Sequence, residues 1–269
     1  MEQVPLAPPV ASAPVAAATP APAAEPAADA PAFKPSGYVE GGGDYHSVTH
    51  NYGNWVGEYV KGEVQTDPDN RWNAELLNQK EFGSEGVYGD IGNTHVFNED
   101  WYSAVTAGVG ADSLYLPRYR ADAFLNRKWL DSRQLITTVG LGADEFKDGH
   151  KDQSIFFGGT YYFVAPWILQ GGVRINDSTP GSVTSAYEFV ALTQGESKHH
   201  FLTLRYGFGR EAYQILGPGQ SISDFASQQL SLELRQWLGE DWGFDARGEQ
   251  YHNPNYDRTG INLGVFKEF

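Results

Sequence analysis

The chain has 269 residues, 34 acids against 19 bases for a net charge of −15, and no cysteine. That balance argues against nucleic acid as a partner, because phosphate binding needs a basic surface, and the missing thiols remove disulfide frameworks, thiol catalysis and Cys-bound zinc. Mean hydropathy is −0.44; no apolar run reaches the roughly 18 residues a spanning helix needs, whereas a spanning strand, apolar on one side only, is not excluded.

Residues 1–36 come first and stand apart. They hold nine of the 15 prolines and 13 alanines, too little apolar bulk to offset the entropy of ordering. They are predicted to be a disordered Pro/Ala-rich linker, either a plain tether or a spacer crossing the periplasm toward a partner protein or peptidoglycan. The start, MEQVPLAPPV, has neither a basic n-region nor an apolar h-region, so a processed form of the chain is expected.

From Gly37 to Phe269 apolar and polar residues alternate with period two. Trp101, Ser103, Val105, Ala107 and Val109 alternate with Tyr102, Ala104, Thr106 and Gly108. Trp167, Leu169, Gly171, Val173 and Ile175 do so with Ile168, Gln170, Gly172 and Arg174, and Leu230, Leu232 and Leu234 with Ser231, Glu233 and Arg235. Fourteen such segments fall near 37–46, 52–65, 71–82, 86–97, 100–111, 118–130, 133–146, 152–164, 166–176, 182–193, 198–212, 225–237, 240–252 and 257–269. The longest joining segment is Tyr213–Asp224. The predicted fold is all-β, a transmembrane antiparallel up-and-down β-barrel of about 14 strands; 12 or 16 strands stay open if residues 37–65 are misread. A soluble sandwich would alternate too, but its strands are usually about half as long.

Tryptophan separates the two cases. Alternate turns carry Trp72, Trp101, Trp129, Trp167, Trp237 and Trp242, six of the seven tryptophans, at one end of the meander. Indole favours the headgroup zone, so these six are expected to form a membrane girdle. Phe269, the last residue, shares an apolar face with Ile261, Leu263 and Val265 and is expected to act as a signal to the outer-membrane assembly machinery. An even strand number puts both termini on one side, and the short turns there make that side periplasmic.

Turning the apolar face toward lipid sends the charged residues inward, since a base at the bilayer midplane costs about 2–4 kcal/mol. The expected lumen-lining residues are Arg118, Arg120, Asp122, Arg174, Arg205, Glu233, Arg235, Asp245, Arg247 and Glu249, with Lys128. They form either an ion-paired wall that stiffens the barrel or a polar conduit for a hydrophilic solute. Tyr119, Tyr162, Tyr206, Tyr251 and Phe266 are candidate aromatic surfaces for sugar rings, although packing accounts for each as well.

No catalytic, cofactor or metal motif emerges. HSVTH places His46 and His50 at metal spacing only on a helix, Asp67-Pro68-Asp69-Asn70 reads as a tight turn, and Ser47 with His46 or His50 and Asp44 is a nominal triad with nothing beyond loop spacing behind it. No enzyme, no cofactor and no metal are expected.

The opening strand Gly37–Tyr45, the hairpin HNYGNWVGEYVKG, the segment RYRADAFLNRKWL and the ending YDRTGINLGVFKEF together resemble the YaiO-type outer-membrane β-barrel family over residues 37–269. The resemblance implies outer-membrane localisation, membrane lipid as surroundings and a link to exopolysaccharide systems. The function expected is a porin-like or export conduit, with polysaccharide or a periplasmic protein as partner. A structural or interaction barrel, or a lipid-modifying enzyme, is the alternative.

Overall fold

The computed structural model describes residues 33–111, 113–164, 166–217 and 219–269. The predicted linker therefore lies outside the described residues as far as residue 32. Fourteen antiparallel strands follow: β1 (Ser36–Val48), β2 (Trp55–Asp67), β3 (Asn70–Glu81), β4 (Ser84–Val96), β5 (Trp101–Ala111), β6 (Pro117–Trp129), β7 (Leu135–Phe146), β8 (Lys151–Tyr162), β9 (Trp167–Thr179), β10 (Val183–Glu196), β11 (His200–Gly217), β12 (Gln220–Trp237), β13 (Trp242–His252) and β14 (Asp257–Glu268). Each pairs with its chain neighbours, and β1 closes on β14 from Tyr38↔Glu268 to Val48↔Arg258. Closure leaves no sheet edge, so the barrel-wall backbone is hydrogen-bonded without help from solvent, as a bilayer demands.

Period-two alternation decides which way each side chain points. Val60, Leu76, Ile91, Val105, Leu141, Leu204, Leu232 and Leu263 are exposed on the outer face, while Glu40, Asp122, Arg174, Ser231 and Asp245 are buried on the inner one. The start of β1 and the C-terminal Phe269 lie at one rim, where Gly37 and Phe269 exchange backbone hydrogen bonds, here the terminal rim. Trp129 sits there on β6 and Tyr119 toward the opposite, far rim, both exposed outward. Ten residues of strand, about 34 Å long at a tilt near 40°, separate them by about 26 Å along the barrel axis, which matches the roughly 25 Å apolar band of outer-membrane barrels.

The segment Tyr213–Asp224, expected to be the longest loop, is instead the end of an extended hairpin. β11 and β12 run to 18 residues each and turn at Gly219, whose φ of +71° suits glycine. The sequence obscures this because Gly217, Pro218 and Gly219 interrupt the pattern, leaving apolar residues on both parities of YQILGPGQSI.

The far rim is filled by an aromatic cluster. Trp55, Phe82, Tyr115, Leu116, Tyr251 and Tyr256 are buried there with Ile215 and Leu216 of the long hairpin, and Tyr52 and Tyr213 pack against them. The Trp55 ring centroid lies 4.9 Å from that of Phe82 and 6.0 Å from that of Tyr256. Residues from five hairpins thus form a lid across one mouth of the barrel.

Candidate functional site in the barrel lumen

The lumen holds the charge that the bilayer rejects. Its registers line up a row around the inner wall: Glu40↔Lys61, Lys61↔Glu75, Glu75↔Asp90, Asp90↔Gly108, Gly108↔Arg120, Arg120↔Asp144 and Asp144↔Asp152. Acids and bases alternate along part of it, so side chains on adjacent strands can pair.

Among the described residues three larger ion-paired groups stand out, beside the single pair of Arg71 with Glu63 at 3.1 Å. At the seam between β1 and β14, the Glu40 carboxylate receives Lys61 Nζ at 3.0 Å and Arg235 Nη1 at 3.1 Å. Arg235 also meets Asp245 Oδ2 at 2.8 Å and lies 3.7 Å from the Phe266 ring centroid, while Tyr59 Oη donates to Glu40 at 2.9 Å and to Asn262 at 3.2 Å. In the second group, Arg120 Nε contacts Asp122 at 2.7 Å and Asp144 at 3.6 Å, and Arg174 Nη1 reaches Ser154 Oγ at 2.9 Å and Asp122 at 3.7 Å. The third group lies beneath the lid. Glu249 takes Arg258 at 2.8 Å and Arg247 at 3.0 Å, and buried His46 sits between Asp44 at 3.1 Å and Glu249 at 3.4 Å. The expected residues Arg120, Asp122, Arg174, Arg235, Asp245, Arg247 and Glu249 all stand in these groups.

Four expected lumen residues stand outside them: Glu233, Arg205, Arg118 and Lys128, whose Nζ lies 5.6 Å from the Tyr102 ring centroid. Glu233 points inward on β12 opposite Arg247 yet is exposed, so the interior at that level is open to water. Arg205 lays its guanidinium 3.6 Å from the Phe189 ring centroid. Arg118 is a correction. It stands where the β6–β7 register shifts between Pro117 and Tyr119, it is exposed, and its guanidinium lies 5.1 Å from the Tyr119 ring, at the far rim and not in the lumen.

Among the tryptophans, Trp72, Trp101, Trp129, Trp167 and Trp242 point outward at the terminal rim, with Trp129 and Trp167 flanked by the exposed turn residues Leu130 and Val164. Arg127 lies 3.6 Å from the Trp129 ring and 5.2 Å from the Trp101 ring, a cation held level with these outward rings. Trp237 is a correction: on the parity of Glu233 and Arg235 it faces inward, 7 % exposed, against Phe266 at 5.2 Å and donating to Glu268 at 3.2 Å. Of the candidate sugar surfaces, Tyr119 and Tyr206 face outward, whereas Tyr162, Tyr251 and Phe266 alternate inward. Phe269, 65 % exposed, exchanges backbone hydrogen bonds with Gly37 at the seam.

Sequence reasoning missed Glu40, Lys61, Asp144 and Arg258, which the networks use. Parity would have found them: Glu40 shares its face with Asp44 and His46, opposite Val39 and Tyr45. The same parity turns Ser47 outward, away from His46 and Asp44, so the nominal triad is not assembled. Among the described residues no three of His, Asp and Glu gather in a metal-holding group.

In the lid, Asn253 Oδ1 accepts the Asn255 and Tyr256 backbone N–H groups at 2.8 and 2.9 Å, which fixes the β13–β14 turn with Tyr256 pointing down. Burial pushes the Tyr256 and Tyr115 phenols above their usual range, so both stay neutral at physiological pH. Burial also holds the His150 imidazole below the usual histidine range, against the opposing pull of Asp152 and Asp148.

The family model described as YaiO membrane beta barrel domain matches residues 37–214. Among solved structures, the P. putida toluene transporter TodX is similar with a TM-score of 0.57 and 9% identity, covering 89% of this chain and 91% of that one. A bacterial polysaccharide outer membrane secretin is similar at 0.53 and 10%, covering 87% and 98%. A loop L8 deletion mutant of OmpT, an outer membrane protein of Vibrio cholerae, is similar at 0.52 and 9%, covering 88% and 99%. No curated protein sequence matches. At such identities the structural likeness speaks for the fold alone, and that fold is the outer-membrane barrel. The chain belongs to the YaiO membrane β-barrel family.

Proposed function

We propose that the barrel is a gated conduit for a hydrophilic solute across the outer membrane, with its terminal rim in the periplasm. The observation that carries this is Glu233, a charged side chain exposed to water inside the closed wall, with Lys61 and Arg247 also part exposed, 36% and 38% at the side chain. Water reaches the interior, while the far mouth is covered by side chains from five hairpins. The lid is then a hydrophobic gate, which closes by excluding water. A link to exopolysaccharide rests on the family resemblance, and Phe269 is proposed as the assembly signal.

Planar-bilayer conductance tests the conduit. The wild-type protein is expected to pass little or intermittent current, and removal of residues 213–224, which carry Ile215, Leu216 and Ile222 of the lid, to give steady openings. Silence from both would end the proposal. A tag at the N-terminus should become protease-accessible only after the outer membrane is permeabilised; accessibility on intact cells would reverse the orientation. Removing Phe269 should lower the yield of folded barrel in cells, and an unchanged yield would remove its role.

The closed lid and the paired walls favour a second reading, a structural barrel that engages a periplasmic protein through residues 1–36. Pull-downs with and without that segment distinguish it; partners captured equally by both forms would sink it.

A further inference from the structure

We infer that the luminal wall from β5 to β11 carries a binding track for an acidic oligosaccharide, with Arg205 and Lys128 as its two charge anchors. The inference rests on the lumen being water-accessible and deepens the conduit proposal by naming a solute class.

Charge is divided unevenly around the half of the lumen nearest the terminal rim. On β1–β4 and β12–β14, inward bases there meet acids: Lys61 and Arg235 on Glu40, and Arg71 on Glu63 at 3.1 Å. On β5–β11 the inward positions of this half hold no Asp or Glu. They hold hydroxyls, amides, small residues and rings, together with Lys128 and Arg205. Among the described residues neither cation has a carboxylate within ion-pair distance. Each rests instead on a ring: Arg205 on Phe189 at 3.6 Å and Lys128 near Tyr102 at 5.6 Å.

The two cations belong to one register row. Arg205 stands opposite Ala191, Ala191 opposite Gln170, Gln170 opposite Thr160, Thr160 opposite Ile136 and Ile136 opposite Lys128. Five inter-strand steps of about 4.8 Å put the anchors roughly 24 Å apart along the wall. Between them Gln170 and Thr160 present an amide and a hydroxyl, hydrogen-bonded to each other at 3.4 Å. A guanidinium in a partly desolvated wall keeps its donors unsatisfied until an anion or water takes them, and it prefers a carboxylate. A neutral sugar would gain only hydroxyl contacts here, and a single sugar acid could reach only one anchor. A short chain with several carboxylates reaches both and meets hydroxyl partners between them. Glu233, exposed toward the lumen on β12, beside Arg205's strand, opposes such a ligand.

Equilibrium binding to the full-length protein in detergent tests this without requiring current to flow. The probes are hexagalacturonate, galacturonate and maltohexaose, followed by calorimetry. Hexagalacturonate should bind at least tenfold more tightly than galacturonate or maltohexaose and should weaken as salt rises. Arg205→Gln and Lys128→Gln should each weaken it at least fivefold, the double variant should bind it no better than maltohexaose, and Glu233→Gln should strengthen it. Hexagalacturonate binding no tighter than maltohexaose, or unaltered in the double variant with its barrel intact by heat-modifiable migration, overturns the track. A barrel that binds hexagalacturonate through these residues yet never conducts would end the conduit proposal and leave the site standing.

Discussion

Glu40 and Arg235 lie 195 residues apart in sequence and 3.1 Å apart in space. Glu40 belongs to β1 and Arg235 to β12, so the pair reaches across β13 and β14 and over the seam where the barrel closes. The Glu40 side chain is fully buried, and its three partners, Lys61, Arg235 and Tyr59, come from both sides of the seam. Closing a seam between chain ends gives up far more loop entropy than any hairpin does, and this cluster is fixed where that closure occurs.

Removing one partner should therefore be costly. Glu40→Gln leaves Arg235 and Lys61 without their shared carboxylate, and breaking a buried pair this way costs about 3–5 kcal/mol. Arg235→Met is expected in the same range. The double variant should lose less than the two singles together, because no charge is then stranded. Urea unfolding in detergent or liposomes measures it. Strict additivity would show that the two side chains do not act as a unit.

The seven tryptophans should divide by depth. Trp72, Trp101, Trp129, Trp167 and Trp242 face outward at one rim, while Trp55 and Trp237 are 1% and 7% exposed inside the barrel. Single-tryptophan variants in vesicles with spin-labelled acyl chains should show the five quenched most by labels near the headgroup, and Trp55 and Trp237 scarcely quenched at any depth. Strong quenching of Trp237 would place it back in the girdle.

Trp237 also shows what the sequence makes legible and what it hides. The strand number and the two faces follow from alternation, which both environments enforce: lipid excludes charge and the lumen accepts it. The segment Trp167–Ile175 displays this with no help from tertiary structure. Position beside a turn was a poorer guide. Trp237 sits in WLGEDW like a girdle residue, yet Leu230, Leu232 and Leu234 occupy the other parity and so send it inward with Glu233 and Arg235. The lid was hidden for a different reason. Its residues come from five hairpins, and nothing local marks Trp55, Phe82, Tyr115, Ile215 and Tyr256 as neighbours. Ion-pair partners are hidden likewise, since Glu40 and Arg235 share a site only after the barrel closes.

The far rim should loosen in acid. His150 ends the β7–β8 turn, with its ring 4.0 Å from Tyr213 and 5.2 Å from Phe146, and Nε2 at 2.6 Å from Asp152. Burial depresses its pKa, so the open or unfolded form takes up a proton at a higher pH than the packed one. The packed form is then at full stability above the ordinary histidine pKa of about 6.5 and loses stability as pH falls through the lower folded value. Amide protection factors at residues 146–152 should drop between pH 7.5 and 5.5 in the wild type, with Asp148 and Asp152 partly opposing the effect. His150→Gln, which cannot titrate, should show a flat profile. A wild-type profile as flat as that of the variant would remove His150 as the cause.

The inner wall should be intolerant of methyl groups beside Phe156. This ring lies against the backbone of Gly158 and Gly172, which face each other across β8 and β9, and it stacks at 6.3 Å and 12° on Phe189. A Cβ at Gly172 would stand 2.7 Å from the tip of the ring, with the Phe157 carbonyl oxygen at 2.9 Å, and one at Gly158 would stand 2.6 Å from the ring tip. Gly158→Ala should therefore cost about 1–3 kcal/mol through overpacking, because the ring is held by its neighbours and cannot swing away freely. Phe156→Ala removes a buried ring and should cost about 3–5 kcal/mol. In the double variant the new methyl enters space the ring has left, so the combined loss should fall below the sum by more than 1 kcal/mol, roughly the size expected for contacting residues. Unfolding midpoints of the four proteins in one detergent decide it. If the losses add, Gly158 is not small on account of Phe156, and the wall there is shaped by backbone approach alone.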